Sequence, residues 1–293
     1  MENIKNIRER LKNYNVIERS TIPSFPNNML VELSNICNHE CIFCANSKMT
    51  RRKGEIDRGF LYRILIEAYN LGVTDVGFYA TGEPFMNKNL LEYIKKAKEI
   101  GYRYVYLTTN GALVNHEKAK QILEVGLDSI KFSINAGTRE TYLLIHGRDD
   151  FNKVIDNLKY INECRKKTEK DIKLYVSYVV TKQNENEKEI LKELIKDIVD
   201  DIIFVEVRNQ GGLMYEINDY LVLEDKKYEI KNPPCPLPFN SLHITYEGYL
   251  TACCIDFQNY LVVSNLNETS LEDAWKSEEF IKLREMHLNN ALE

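Results

Sequence analysis

The stretch MLVELSNICNHECIFC, residues 29–44, places three cysteines directly behind a predicted strand. Its first half is apolar at most positions up to Asn35, which favours a short buried strand. Its second half brings Cys37, Cys41 and Cys44 into eight positions. In parallel β/α architectures the functional loops follow the carboxyl ends of the strands, so this stretch predicts such a fold with its site in the cysteine loop.

Five further β-rich segments follow this strand, and amphipathic helical stretches separate them. The six predicted strands cover residues 29–35, 74–80, 102–109, 128–134, 172–180 and 201–207. Residues 87–101 and 186–199 are examples of the helical stretches, and Gly101 follows the first of them as a helix stop. Strand–helix alternation predicts an α/β fold with a parallel sheet and right-handed crossovers. Six units are too few for a closed eight-stranded barrel, so we expect a partial (β/α)6 TIM-type barrel.

The pattern changes after residue 208, where an irregular, proline-containing segment predicts a linker. The alternating stretch 241–254 is broken at Glu247-Gly248 and predicts a β-hairpin. A helix is expected from Ser270 to Leu288, with Ser270 and Asp273 at its amino-terminal cap. The expected division is an N-terminal helical extension (1–28), the barrel (29–215) and a small C-terminal hairpin-plus-helix appendage (216–293).

Composition limits the classes of protein. The 293 residues carry a net charge of -5, which argues against a nucleic-acid-coating role. No run of about 18 apolar residues is present, so no membrane span is expected. The charged N-terminal segment lacks a signal core, which predicts a cytoplasmic protein. Thiols stay reduced there, so the seven cysteines are better explained as metal ligands than as disulfides.

Cysteine thiolates select iron–sulfur clusters or zinc over hard cations. Three of them would leave one iron of a four-iron cubane free to bind a substrate or cofactor. The alternative is a zinc site with a distant fourth ligand, such as His39. The spacing by itself leaves both open.

The C-x3-C-x2-C spacing, with Phe43 before the last cysteine and a strand in front, resembles the radical S-adenosylmethionine (SAM) superfamily. The resemblance implies a [4Fe-4S] cluster held by Cys37, Cys41 and Cys44, whose open iron chelates SAM. It also implies reductive cleavage of SAM to a 5′-deoxyadenosyl radical that abstracts hydrogen from a substrate. An electron donor such as flavodoxin or ferredoxin would then be a partner.

The segment ATGEP, residues 80–84, is similar to the family's Gly-Gly-Glu-Pro segment. The resemblance implies that Glu83 holds the amino group of SAM, with backbone contributions from Thr81 and Gly82. Thr81 stands where the family most often has glycine. Taken alone, this segment would be an ordinary turn.

Further cofactor contacts are implied at the ends of the next strands. Asn110, in TTNG, resembles a residue that lines the SAM pocket. Ser133 and Asn135, in SIN, resemble residues that reach the ribose or carboxylate. Arg148, in HGR, is expected to pair with the methionine carboxylate. Each of these short matches could also be an ordinary turn or strand end. Together they support the resemblance, because they follow successive strands in order.

A second cysteine group comprises Cys235, Cys253 and Cys254. Its spacing around Gly248 resembles the opening of the SPASM/twitch extension, which implies an auxiliary iron–sulfur cluster. Adjacent residues on a strand face opposite ways, so we expect only one of Cys253 and Cys254 to ligate. The family's later cysteines are absent up to residue 293. Truncation, an incomplete cluster, loss of the metal and purely structural cysteines are the alternatives.

The resemblance favours dehydrogenation or epimerisation. We expect a small polar or carbohydrate-type substrate, because about 28 residues before the first strand are too few for a leader-binding domain. One alternative is a peptide- or protein-modifying maturase. A second is a non-catalytic iron–sulfur or electron-transfer protein. The side chains that could face the substrate cavity of such an enzyme are Arg139, Tyr142, His146, Tyr178 and Arg208.

Overall fold

A parallel sheet forms the centre of the molecule. The structure, a computed structural model, describes residues 18–222 and 235–291. The six predicted strands are all present, as β1 Asn28–Val31, β2 Asp75–Gly77, β3 Tyr104–Thr109, β4 Ser129–Ser133, β5 Lys173–Val180 and β6 Asp201–Glu206. Each pairs in parallel with the next along the chain. This confirms the predicted partial barrel.

Helices alternate with these strands. They are α1 Arg58–Asn70, α2 Leu90–Ile100, α3 His116–Glu124, α4 Arg139–His146, α5 Phe151–Thr168 and α6 Lys188–Ile195. Single 3₁₀ turns cover Ala45–Lys48, Pro84–Met86 and Glu185–Glu187. Helix α2 ends as predicted at Gly101, whose φ of 115° is easily adopted only by glycine.

The C-terminal hairpin continues the barrel sheet. Strands β7 Ser241–Ile244 and β8 Tyr249–Thr251 form the predicted antiparallel hairpin, and β9 Val262–Asn265 adds a strand that was not predicted. The sheet order is β6-β5-β4-β3-β2-β1-β7-β8-β9, and β7 runs parallel to β1. The hairpin is therefore not a detached appendage: it pairs with the outer edge of β1, whose four residues are all buried.

The predicted C-terminal helix is interrupted. Helix α9 Leu271–Trp275 begins after Ser270, whose side chain accepts from the backbone N–H of Asp273, as predicted. Helix α10 Glu278–Leu288 then starts anew, because Ser277 adopts an extended conformation and caps the backbone N–H of Phe280. Two shorter helices precede them, α7 Ile217–Tyr220 and α8 Leu237–Asn240.

Parts of two predicted segments lie outside the described residues. These are residues 1–17 of the N-terminal extension and residues 223–234 of the linker. Among the helices that the structure describes, none has both the length and the apolar character that a bilayer crossing requires.

A buried arginine fixes the C-terminal helices to the rest of the chain. Arg284 is 0% exposed, and its guanidinium donates to the carbonyl oxygens of Pro238 (2.9 Å), Trp275 (2.8 Å) and Thr21 (3.1 Å). It also lies 4.0 Å from the ring centre of Trp275 and 3.7 Å from that of Phe280. One side chain thus joins both ends of the described chain.

Candidate functional site

The three cysteines of residues 37–44 lie in the loop after β1. Cys37, Cys41 and Cys44 are half-buried free thiols. Burial, with smaller contributions from Glu83 and Cys44, raises the pKa of Cys37 to about 11. Burial and the charges of both other cysteines raise the pKa of Cys41 well above its ordinary value. Burial therefore favours the neutral thiols, and a bound cation would stabilise the thiolate form; three thiolates are a donor set that fits an iron–sulfur cluster.

Amide side chains brace the cysteine loop. Asn35 donates to the carbonyl of Arg52 (2.9 Å) and accepts from the N–H of Gly54 (2.9 Å). Asn46 donates to the carbonyls of Asn35 (2.9 Å) and Thr81 (2.7 Å). The loop is therefore tied both to itself and to the segment that follows β2.

The segment after β2 packs directly on the cysteine loop. The N–H of Glu83 donates to the carbonyl of Ile36 (2.9 Å). A Cβ atom on Gly82 would lie 2.3 Å from the carbonyl oxygen of Ser34, so only glycine fits there. The hydroxyl of Thr81 donates to the carboxylate of Glu32. The threonine that departs from the family pattern thus uses its hydroxyl inside the protein.

Glu83 is a buried carboxylate at the carboxyl ends of β2 and β3. It is 3% exposed and accepts hydrogen bonds from the hydroxyl of Thr109 (2.7 Å) and the N–H groups of Asn110 (2.7 Å) and Phe85 (3.1 Å). Burial, partly opposed by these donors, raises its pKa to about 7. A carboxylate held in this way favours a cationic partner.

The other predicted cofactor contacts divide into two groups. Asn110 faces the cysteine loop, because its amide nitrogen donates to the side-chain oxygen of Asn38 (2.8 Å). Ser133 is half-buried, with its hydroxyl 3.4 Å from that of Ser177. Arg148 is instead exposed and pairs with Glu40 (3.3 Å).

Asn135 is 1% exposed, and its side chain is fully engaged within the protein. Its oxygen accepts from the N–H of Val179 (2.7 Å), and its nitrogen lies 3.2 Å from Nε2 of His146. The structure therefore connects Asn135 to a histidine that no sequence spacing singled out as a metal-site residue.

Two histidines lie beside Cys41. Nδ1 of His146 is 3.5 Å from the sulfur of Cys41 and 3.4 Å from Nδ1 of His39. The ligand atoms of these three residues all lie within 4.8 Å of one another. Burial lowers the pKa of His146 to about 3, so its ring is neutral at pH 7. Sequence separation hides this cluster, because His146 is 105 positions from Cys41.

Of the four other residues expected to face the substrate cavity, two are buried and two are exposed. Tyr142 is buried and stacks on His146, and Tyr178 is buried with its hydroxyl bonded to the carbonyl of Asn184 (2.6 Å). Arg139 and Arg208 are exposed. Arg139 pairs with Asp149 at the surface.

Two cysteines of the second group, Cys253 and Cys254, lie in a turn. Strand β8 ends at Thr251, so Cys253 and Cys254 follow the strand, and the expectation that they alternate across it is wrong. Burial, with contributions from Cys253 and Cys235, raises the pKa of Cys254 to about 12, and burial, with a smaller contribution from Cys235, also raises the pKa of Cys253. Three cysteine thiols are a donor set that fits iron–sulfur binding.

Asp256 shapes the turn that carries Cys253 and Cys254. Its carboxylate accepts from the hydroxyl of Thr251 and from the N–H groups of Tyr260 and Leu261, each at 2.9 Å. The turn is therefore held by side-chain hydrogen bonds of its own residues.

A small cavity is lined by the segment after β2 and by Cys253 and Cys254. It measures about 20 Å³ and is lined by residues that include Glu32, Arg51, Thr81, His243, Cys253 and Cys254. Within residues 18–222 and 235–291, Nη1 of Arg51 and both ring nitrogens of His243 are buried without a hydrogen-bond partner. Such groups are costly to bury alone, and a cavity of this size has room for a water molecule that could bond to them.

Comparisons with known proteins agree with this geometry. The model of the radical SAM superfamily matches residues 31–194, and the SPASM model, an iron–sulfur cluster-binding domain, matches residues 235–292. A Probable GTP 3′,8-cyclase of Saccharolobus islandicus is 31% identical over 160 residues, 54% of this chain and 49% of that protein. An uncharacterized protein of Methanocaldococcus jannaschii is 37% identical over 133 residues, 44% of this chain and 41% of that protein. The chain spans about half the length of the curated relatives it matches.

Solved structures share the fold. Streptococcus suis SuiB bound to precursor peptide SuiA aligns with a TM-score of 0.71 at 18% identity, covering 94% of this chain and 69% of SuiB. BtrN in complex with AdoMet and 2-DOIA aligns with a TM-score of 0.59 at 20% identity, covering 89% and 86%. The matched families bring the cofactors expected from the sequence, namely a [4Fe-4S] cluster, SAM and an auxiliary iron–sulfur cluster. The chain belongs to the radical SAM superfamily and carries a C-terminal SPASM extension.

Proposed function

We propose that the chain is a radical SAM enzyme in which Cys37, Cys41 and Cys44 hold the cluster and Glu83 binds the amino group of SAM. The observation that carries this proposal is the hydrogen bond from the Glu83 N–H to the Ile36 carbonyl (2.9 Å), which fixes the backbone at Glu83 against the cysteine loop. When bound, the cluster supplies the electron that cleaves SAM to a hydrogen-abstracting 5′-deoxyadenosyl radical. A low-potential donor such as flavodoxin or ferredoxin would deliver that electron.

The chain's own residues bind and orient SAM. The Glu83 carboxylate is desolvated and pre-aligned by three donors, so an ammonium group would gain a strong charge-assisted hydrogen bond there. Gly82 lets the backbone lie close to the cysteine loop. Asn110 and Ser133 are the proposed side-chain contacts to the rest of SAM. Asn135, which contacts His146, and Arg148, which pairs with Glu40, act outside that contact set.

The substrate we propose is a small polar molecule that undergoes net dehydrogenation or epimerisation, an oxidoreductase-type reaction. The relatives named as Probable GTP 3′,8-cyclases support this, because they act, by their name, on a polar small molecule.

Anaerobic reconstitution followed by dithionite and SAM tests the proposal. We expect iron and sulfide in the protein and release of 5′-deoxyadenosine. A zinc protein, or a cluster that binds SAM without cleaving it, would contradict the enzymatic assignment. GTP, an aminocyclitol and a set of short peptides then test the substrate class. Stimulation of 5′-deoxyadenosine release by peptides alone would favour the peptide-modifying alternative.

A further inference from the structure

We propose that His146 donates a hydrogen bond to the sulfur of Cys41, and that this bond raises the reduction potential of the cluster. The inference rests on the proposed function in one respect, namely that Cys41 is a cluster ligand. His146 is then a positioning residue: it acts on the cluster through Cys41 and needs no contact with SAM or substrate.

The position of the ring makes the contact direct. His146 is the last residue of α4 and is 1% exposed. Its Nδ1 lies 3.5 Å from the sulfur of Cys41, within the range of hydrogen bonds to sulfur. Tyr142 stacks on the same ring, with centroids 4.0 Å apart and planes 14° apart. The ring therefore has little freedom to turn away from the sulfur.

The partners of Nε2 determine which nitrogen carries the proton. The side-chain oxygen of Asn135 accepts from the N–H of Val179 (2.7 Å), so its NH₂ group faces His146. Nε2 of His146 thus receives the Asn135 side-chain nitrogen (3.2 Å) and the Asn135 backbone N–H (3.4 Å). Both are donors, so Nε2 must be the acceptor and the neutral ring carries its proton on Nδ1.

The second neighbour of Nδ1 is consistent with this tautomer. Nε2 of His39 lies 3.1 Å from the carboxylate of Asp150 and donates to it. Nδ1 of His39 is then an acceptor, 3.4 Å from Nδ1 of His146. The His146 N–H is therefore shared between this nitrogen and the Cys41 sulfur. A cluster-bound thiolate, being charged, is the stronger acceptor.

Two backbone hydrogen bonds hold the end of α4 against the cysteine loop. The N–H of Glu40 donates to the carbonyl of His146 (3.1 Å), and that of Ile42 donates to the carbonyl of Ile145 (3.0 Å). These two bonds flank Cys41 on both sides. Gly147 adopts a φ of 67°, and a Cβ there would lie 3.1 Å from the Glu40 carbonyl oxygen. The donor is thus pre-aligned by α4 and does not depend on metal binding.

The direction of the effect follows from charge. A reduced cluster carries one more negative charge than the oxidised form, so a donor at a ligating sulfur stabilises the reduced form more. Hydrogen bonds to the sulfurs are one of the terms that set the potential of iron–sulfur clusters. Without the His146 N–H, the cluster should be harder to reduce.

An EPR-monitored redox titration without substrate tests this on His146→Phe, which keeps a ring on Tyr142 but has no N–H. The matched control is His116→Phe, because the exposed His116 also stacks on a tyrosine, Tyr160, at 3.7 Å and 9°. At the wild-type midpoint we expect the ratio of reduced to oxidised cluster to fall about tenfold in His146→Phe, about 59 mV for a one-electron couple. His116→Phe should match the wild type, and His146→Gln, which retains an N–H donor, should recover part of the loss.

Iron, sulfide and SAM cleavage are measured first on the wild-type protein. If the wild type holds no cluster or does not cleave SAM, the proposed function fails, and that outcome is distinct from a failure of this inference. An unchanged potential in fully loaded His146→Phe would overturn the inference. If that variant does not load iron, wild-type protein with ¹⁵N-labelled histidine is examined by pulsed EPR in H₂O and D₂O. We expect a weak imidazole nitrogen coupling and an exchangeable proton coupling to the reduced cluster; absence of both would overturn the inference.

Discussion

The two cysteine groups are supported very differently by the chain around them. The loop of Cys37, Cys41 and Cys44 is held by Asn35 and Asn46, by the segment after β2 and by the end of α4. Among the described residues, the group of Cys235, Cys253 and Cys254 is supported by the turn that Asp256 braces, and Cys235 is exposed. A pre-aligned ligand set loses less conformational freedom when it binds its metal.

In the extension, the residues that would bind a metal differ from the residues that stabilise the fold. The extension is fixed by the pairing of β7 with β1 and by Arg284, neither of which involves a cysteine. The first group should therefore lose function completely when one ligand is removed. The second should lose iron while the fold around it persists.

The largest effect is expected at the first group. Cys41→Ala should abolish SAM cleavage, because three protein ligands are needed to hold the cluster with one iron open. Cys253→Ala should lower the iron content but leave 5′-deoxyadenosine release measurable. Cys164→Ala, in α5, serves as the control and should behave as wild type in both assays. Cleavage that survives in Cys41→Ala would contradict the ligand assignment.

Arg284→Met should destabilise the apo-protein by about 3 kcal/mol, because it leaves three buried carbonyl groups without their donor. Denaturant unfolding under reducing conditions measures this. The control is Lys282→Met on the same helix, whose exposed side chain pairs with Glu278 and should matter little. Cys253→Ala should also lie close to wild type. Equal free energies of unfolding for the Arg284 and Lys282 variants would show that Arg284 does not stabilise the C-terminal helices.

Glu83→Gln should weaken SAM binding about 10- to 100-fold, the usual size of a hydrogen bond to a charged group, while iron content stays unchanged. Anaerobic equilibrium dialysis with labelled SAM measures the change. Glu92→Gln, an exposed acid on α2, is the control. If Glu83→Gln loses iron and Glu92→Gln does not, the carboxylate supports the cysteine loop instead of SAM.

Glu83 should also make the apo-protein less stable as pH rises. Its pKa of about 7 lies above the ordinary value of 4.5, so the folded state binds more protons than the unfolded state between these values. The free energy of unfolding should fall by about 2 kcal/mol from pH 5 to pH 8 through this residue. Unfolding curves of wild type and Glu83→Gln across this range test it. Parallel pH profiles for the two proteins would show that Glu83 does not titrate in this window.

The sequence alone determined the barrel and the first half of the site. Strand–helix alternation is a local signal, and it located all six parallel strands as well as the loops that follow them. The cysteine triplet and Glu83 could be found because each lies in a short contiguous motif. Their hydrogen-bonded junction then follows from the shared carboxyl edge of neighbouring parallel strands.

Only the tertiary structure decided the rest. The pairing of β7 with β1 joins Asn28 to Ser241, and the contact of His146 with Cys41 spans 105 positions. Neither leaves a periodic trace, because apolar spacing reports that a residue is buried and not which residue it meets. The break before α10 and the turn that carries Cys253 and Cys254 have a different cause, because local capping and side-chain bonds there compete with the simple pattern.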